Sequence, residues 1–290
     1  MKCTPWAAEF LKESRKLSLH SCYKHVVNLC AGERILALHL ESFPVTPLSL
    51  AVPWKEETFA EMSVAAKERG NVEIKEAKLW LGETFWELGA VEIWNPVITR
   101  TLKLSEAEIL VEELRSFLHK NGKTRGGFSD AAFLWERQPE DTWLTALLRE
   151  QAEQIGKSSL IDMEALVTAA SSMVGQGTGL TPSGDDFLTG MLLAFSLWSD
   201  FPKKKWTLLA DMLRQRRKET NDISGQFLMS AGRHEFGAKY HRLMAAVPDR
   251  REIEEGLKDI METGHSSGID TLNGLAAGLC LICKEYGRKK

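Results

Sequence analysis

The phrase Ser-Gly-x-Asp-x-Leu-x-Gly occurs twice, at residues 183–190 and 267–274, and a glycine-rich approach, Gly175-Gln176-Gly177-Thr178-Gly179-Leu180-Thr181-Pro182, precedes the first copy. These residue types handle anions and protons. Alternating glycines free backbone N–H groups to turn toward a ligand, and a helix start adds positive partial charge and unpaired donors. Gly175, Gly177, Gly179, Thr181, Ser183 and Gly184 are therefore expected to hold phosphate or carboxylate oxygens. Ser224, Ser266, Ser267 and Asp270 complete the expected binding set. Asp185 and Asp186 would repel such an anion unless a divalent ion bridges them, so Mg²⁺ on Asp185 and Asp186 is the expected third component. A protonated aspartate is the alternative. His265 and Asp186 are the candidate acid–base residues, with a plain surface histidine as the rival reading of His265.

Capping is the plainer explanation of the repeat. Ser183 with Asp186, and Ser267 with Asp270, each have the spacing of a capping box. Capping accounts for neither the alternating glycines nor the extra Asp185. Gly190 and Ala194 lie four residues apart, as do Gly274 and Gly278, so both following helices carry a small face that permits close approach. Packing along those faces would bring the two helix starts into one pocket. A third polar turn, Thr220 to Leu228, reads as a helix start capped by Asp222, with Thr220, Ser224 or Gln226 as ligand contacts. The glycine spacing is not G-x-G-x-x-G, no Gly-Lys-Ser/Thr follows, and no G-x-S-x-G elbow is present at this site.

The elements that must position these residues change character along the chain. Tyr23 to Leu29, Arg34 to Leu40, Leu48 to Val52, Val72 to Ile74, Lys78 to Leu81, Phe85 to Leu88 and Val91 to Trp94 are short apolar runs divided by glycine and proline turns. They predict strands of a small antiparallel barrel or sandwich. From Ser105 the apolar period becomes helical, predicting helices over 105–118, 143–155, 163–173, 187–198, 206–213, 253–261 and 271–283. Gly122 to Glu140 is expected to be a loop. The reading is α+β: a β-rich part at residues 1–104 and an α-helical part at 105–290 carrying every motif.

Composition narrows the function classes. The chain has 290 residues, 43% hydrophobic and 27% charged, with no apolar run long enough to cross a bilayer. A net charge of −3 argues against general nucleic-acid binding. The short basic clusters, including Arg288 to Lys290, read as solvated helix ends and a tail. Five cysteines suggest reduced thiols, and Cys280-Leu281-Ile282-Cys283 reads as buried helix-face cysteines rather than a redox or zinc site. With no secretory pattern at the N-terminus, the expected location is cytoplasmic.

At Gly175 to Gly190, with Gly264-His265-Ser266-Ser267-Gly268-Ile269-Asp270 behind it, the chain resembles the bacterial AllH-type family, which includes a subunit of oxamate carbamoyltransferase. The specific motifs are confined to residues 175–279. The resemblance implies phosphate and carboxylate handling within an assembly that contains AllF-type and AllG-type subunits and converts oxalurate and phosphate to oxamate and carbamoyl phosphate. It brings no residue-level catalytic assignment. The alternative is a non-catalytic subunit that binds or senses an anion while partners carry the chemistry.

Overall fold

A computed structural model describes residues 1–14, 16–121, 143–158, 160 and 163–287; the loop expected at Gly122 to Glu140 and the basic tail at Arg288 to Lys290 lie outside the described residues. The fold is α+β, with a curled sheet in the N-terminal part and helices in the C-terminal part. Two compact units divide the chain, Met1–Pro96 and Val97–Lys290.

The first unit holds β1 (Lys2–Cys3), α1 (Pro5–Glu13), β2 (Lys16–Cys22), β3 (Val26–Ala31), β4 (Arg34–Leu40), β5 (Ser49–Val52), α2 (Glu56–Arg69), β6 (Asn71–Lys75), β7 (Lys78–Leu81), β8 (Thr84–Glu87) and β9 (Glu92–Ile93). Its strands form one nine-stranded sheet in the order β8-β7-β6-β2-β3-β4-β5-β1-β9. The pairing is antiparallel except for β4–β5 and β1–β9, so the sheet is mixed rather than the antiparallel barrel or sandwich expected. Period-two alternation builds the core: Leu36, Leu38 and Leu40 of β4 join Val27 and Leu29 of β3, and the pairs Leu29–Leu36 and Val27–Leu38 lie directly opposite. Phe10 of α1 and Phe59, Met62 and Ala66 of α2 belong to the same core. Thr4 starts α1 by accepting from the Ala7 N–H at 3.1 Å, ahead of Pro5 in the first helical position. Gly70, left-handed at φ 73°, ends α2.

A polar knot is buried in this unit. His39 Nδ1–H donates to Leu40 O (2.9 Å), which leaves Nε2 to accept from Ser49 Oγ (2.7 Å). Burial lowers the His39 pKa, opposed by the bond to Leu40.

The second unit contains α3 (Leu104–Asn121), α4 (Trp143–Lys157), α5 (Met163–Met173), α6 (Ser183–Ser196), α7 (Lys203–Arg216), a 3-10 turn (Arg217–Glu219), α8 (Asp222–Ala231), α9 (Ala238–Ala246), α10 (Arg250–Met261) and α11 (Ser267–Tyr286). Helices α6 and α11 are buried along most of their length and pack on each other, with α3, α5, α8 and α10 around them. Small residues decide how closely they meet. A Cβ on Gly190 would lie 1.9 Å from Thr271 O, and a Cβ on Gly274 would lie 1.8 Å from Phe187 O. Gly190 and Gly274 are the same position in the two copies of the phrase, and so are Phe187 and Thr271. The contact is therefore reciprocal, as across a local two-fold axis. Among the described residues no helix is long and apolar enough to cross a membrane.

Gly190→Ala and Gly274→Ala should each destabilise the chain by about 3 kcal/mol or more, because backbone meets backbone and cannot rotate away; chemical unfolding of both variants checks that their costs are similar. For His39, the folded state prefers the neutral ring. Its contribution is therefore full above the unfolded value of 6.5 and is lost as pH falls below it. Thermal melting should drop between pH 7.5 and 5.5, and His39→Gln should flatten that part of the profile.

Candidate functional site

Met173 ends α5, and the chain reaches α6 through the glycine loop. Gly175, Gly177 and Gly179 all have positive φ, at 74°, 126° and 97°. At Gly175 and Gly177 the space is also filled: added Cβ atoms would lie 2.2 Å from Glu219 O and 2.4 Å from the Ser183 nitrogen. Gly179 is exposed with nothing near it. The loop folds back so that the Gly184 N–H donates to Gln176 O at 2.8 Å, while the missing Gly184 side chain admits Met173 O. Gly268 repeats the arrangement, donating to Thr263 O at 3.0 Å beside Ile260 O.

These bonds alter the expected division of labour. Neither serine is a cap: Pro182 and Ser266 occupy the cap positions, neither with a side-chain capping bond, and Ser183 and Ser267 are the first helical residues. Each cap lies one residue before the expected serine. In α6 the cap is Pro182, at φ −55° and ψ 142°, whose carbonyl accepts from the Asp185 and Asp186 N–H groups. The Asp270 N–H likewise bonds to Ser266 O. The first-turn donors expected to hold oxyanions are thus largely engaged within the protein. The N–H groups of Gly177 and Gly179 make no such bond among the described residues. Asn221, not Asp222, caps α8, with its side chain accepting from the Ser224 N–H at 3.0 Å.

The adjacent aspartates have different partners. Asp185 is buried, and both its oxygens accept hydrogen bonds: Oδ1 from the Gly175 N–H (2.8 Å), Oδ2 from Ser224 Oγ (2.6 Å) and from Thr220 Oγ1. It ties the loop entry and the start of α8 to α6. Burial raises its pKa, opposed by those three bonds. Ser224, expected at a ligand, serves this clamp.

Asp186 turns toward α11. Burial first, and then the charge of Asp270, push its carboxyl well above the ordinary carboxylate range, against hydrogen bonds from Ser267 and Thr181. Its Oδ2 is buried and has no hydrogen-bond partner. Asp270 is wholly buried. The two motif copies therefore meet through their equivalent aspartates, and Ser267 reaches from one helix to the acid of the other. Sequence reasoning missed Tyr240 of α9, whose hydroxyl bonds to Thr271 near Asp186 and whose pKa is pushed up to about 12, chiefly by burial. No local spacing signals it, because α9 reaches the acids only through tertiary packing. His265 is exposed on the turn before α11, after left-handed Gly264, and Ser266 is half-buried beside it.

Residues 173–279 match the family model described as oxamate carbamoyltransferase subunit AllH. The match supports the AllH-type family. Its span begins at Met173, whose carbonyl packs on Gly184, and takes in the glycine loop, both acids and the clamp from α8. No solved structure matches the chain. Within the matched span Thr181 and Ser267 hydrogen-bond to Asp186 in the field of Asp270, and the glycine loop leads into the same helix start. Cys280, half-buried on α11 just beyond it, is a free thiol raised to about 11 by burial; Cys283, raised to about 12, is likewise free and half-buried.

The contrast between neighbours gives a stability test. Asp185→Ala leaves three donors without their acceptor and should cost about 2–4 kcal/mol. Asp186→Asn removes one of two facing like charges and should leave stability unchanged or raised. Denaturant unfolding of both variants measures the difference.

Proposed function

We propose that the chain is a subunit of a carbamoyltransferase-type enzyme, acting with AllF-type and AllG-type partners, that holds a small carboxylate substrate and phosphate where α6 and α11 begin. The observation that carries this reading is the meeting of both motif copies at Asp186, whose Oδ2 is buried without a partner inside the segment matched by the family model. Gly177 and Gly179 offer backbone N–H groups, and Thr178 beside them is exposed. The helix starts contribute positive partial charge even where their donors are engaged.

Phosphorolysis of oxalurate defines what the site must do. A phosphate oxygen bonds to the terminal ureido carbonyl carbon, the bond from that carbon to the inner nitrogen breaks, and that nitrogen leaves as the amide of oxamate. The proton it requires is the one phosphate gives up, so the reaction needs a relay and no net acid. His265, exposed at the mouth of the turn, is the proposed relay group, and Asp186, buried between the helices, is the acid that faces the bound anion.

The burial of both acids favours one second reading, in which this chain holds the ligand and the partners carry the chemistry. Reconstitution separates the two. Asp186→Asn in the assembled enzyme should lower kcat by about 10²-fold or more, the scale of a lost catalytic group, with the assembly intact by size-exclusion chromatography. Unchanged kcat with weakened binding would instead assign the chemistry to the partners.

A further inference from the structure

We propose that Asp186 and Asp270 form a two-carboxylate Mg²⁺ site that is completed by oxygens of the bound anion. The inference rests on the reading above only for the identity of that anion. Asp185, the ligand that adjacency suggests, has both oxygens engaged by Gly175, Thr220 and Ser224, and it joins elements of the protein. Asp186 supplies an oxygen that is buried, lacks a hydrogen-bond partner and belongs to a residue only 8% exposed. Asp270 occupies the same position in the second copy and acts on Asp186 across the helix pair. Ser267 and Thr181 add hydroxyls at the same carboxyl.

This donor set consists of oxygens, which suits a hard cation. Among the described residues no group of three or more His, Cys, Asp or Glu side chains is placed to hold a metal. Two carboxylates are within what Mg²⁺ uses, since it characteristically takes one or two, keeps several waters and draws the rest of its shell from phosphate oxygens. A cation between the two acids relieves their mutual repulsion and lets an anion approach a site that otherwise repels it. The reciprocal glycine contacts fix the spacing of the two ligands, because neither helix can slide without driving Gly190 or Gly274 into backbone.

The test uses the full chain without partners or substrate. Mn²⁺ serves as the paramagnetic probe for the Mg²⁺ site, and inorganic phosphate as the anion. Wild-type protein should bind Mn²⁺ by electron paramagnetic resonance, competitively with Mg²⁺, and bind it at least tenfold more tightly with phosphate present. Asp270→Asn and Asp186→Asn should each weaken binding at least tenfold while melting in EDTA no lower than wild type, which shows that they fold. Mn²⁺ affinity unchanged in Asp270→Asn would overturn the site. So would a wild-type chain that binds no Mn²⁺ and shows, by infrared spectroscopy at neutral pH, a protonated carboxyl band that Asp270→Asn removes. Mn²⁺ binding that depends on Asp270 but ignores phosphate would support the metal site and count against the phosphate reading. A phosphate-induced rise in melting temperature that persists in EDTA and in Asp270→Asn would do the reverse.

Discussion

The backbone contact between α6 and α11 at Gly190 and Gly274 constrains the rest of the helical unit. With a Cβ at either position the helices would have to separate, and the residues one turn earlier, Asp186 and Asp270, would separate with them. Burying two carboxylates in each other's field costs several kcal/mol even after relaxation. The surrounding apolar packing offsets that cost: Phe187, Met191, Leu272, Leu275 and Leu279 are all buried around the same seam. The helix pair thus supports an electrostatically unfavourable arrangement that neither helix start would hold alone, as is common where stability is given up for function.

Asp185 and Asp186 show how little residue type says about role. One residue along a helix turns a side chain by roughly 100°, since 3.6 residues complete a turn. That rotation sends Asp185 to three donors on the loop and α8, and sends Asp186 to a second carboxylate on α11. The same acid is a structural clamp in the first environment and a strained, incompletely bonded group in the second. The glycines divide similarly. Gly175, Gly184 and Gly268 admit a neighbouring backbone carbonyl, whereas Gly179 admits nothing and is exposed.

The sequence carried the period of most elements but not their partners. β4 at Arg34–Leu40 and β7 at Lys78–Leu81 coincide with their apolar runs because a turn glycine, Gly32 before β4 and Gly82 after β7, marks one end of each on the chain itself. α2 escaped notice. Its buried face is Phe59, Met62, Ser63 and Ala66, a short stripe diluted by a serine and an alanine, though Glu56, Glu57, Lys67, Arg69 and the left-handed Gly70 are all helix-end signals. The capping reading of Ser183 and Ser267 failed by one residue because a cap is defined by backbone geometry, and serine is tolerated on both sides of the boundary. The convergence of the two phrases was legible from the small residues four apart. That Asp270, rather than Asp185, stands opposite Asp186 depends on helix register, which the pattern of either helix alone does not contain.

The repeat is symmetric in its frame and asymmetric in its surroundings, and this difference bears on how such a site would work. Ser183 and Ser267, Asp186 and Asp270, and Gly190 and Gly274 correspond one to one. The position of Asp185 is taken by Ile269 in the second copy, and the glycine loop with its three positive-φ residues is replaced by the short turn holding Gly264 and His265. A site with two equivalent acids at its centre therefore has two unlike approaches. The glycine loop side presents backbone N–H groups and a threonine suited to a multiply charged oxyanion. The α11 side presents the imidazole of His265 on an exposed turn. Under the phosphorolysis proposed above, one approach would serve the phosphate and the other the leaving nitrogen. The two copies of the helix start thus differ both in what precedes them and at the position of Asp185.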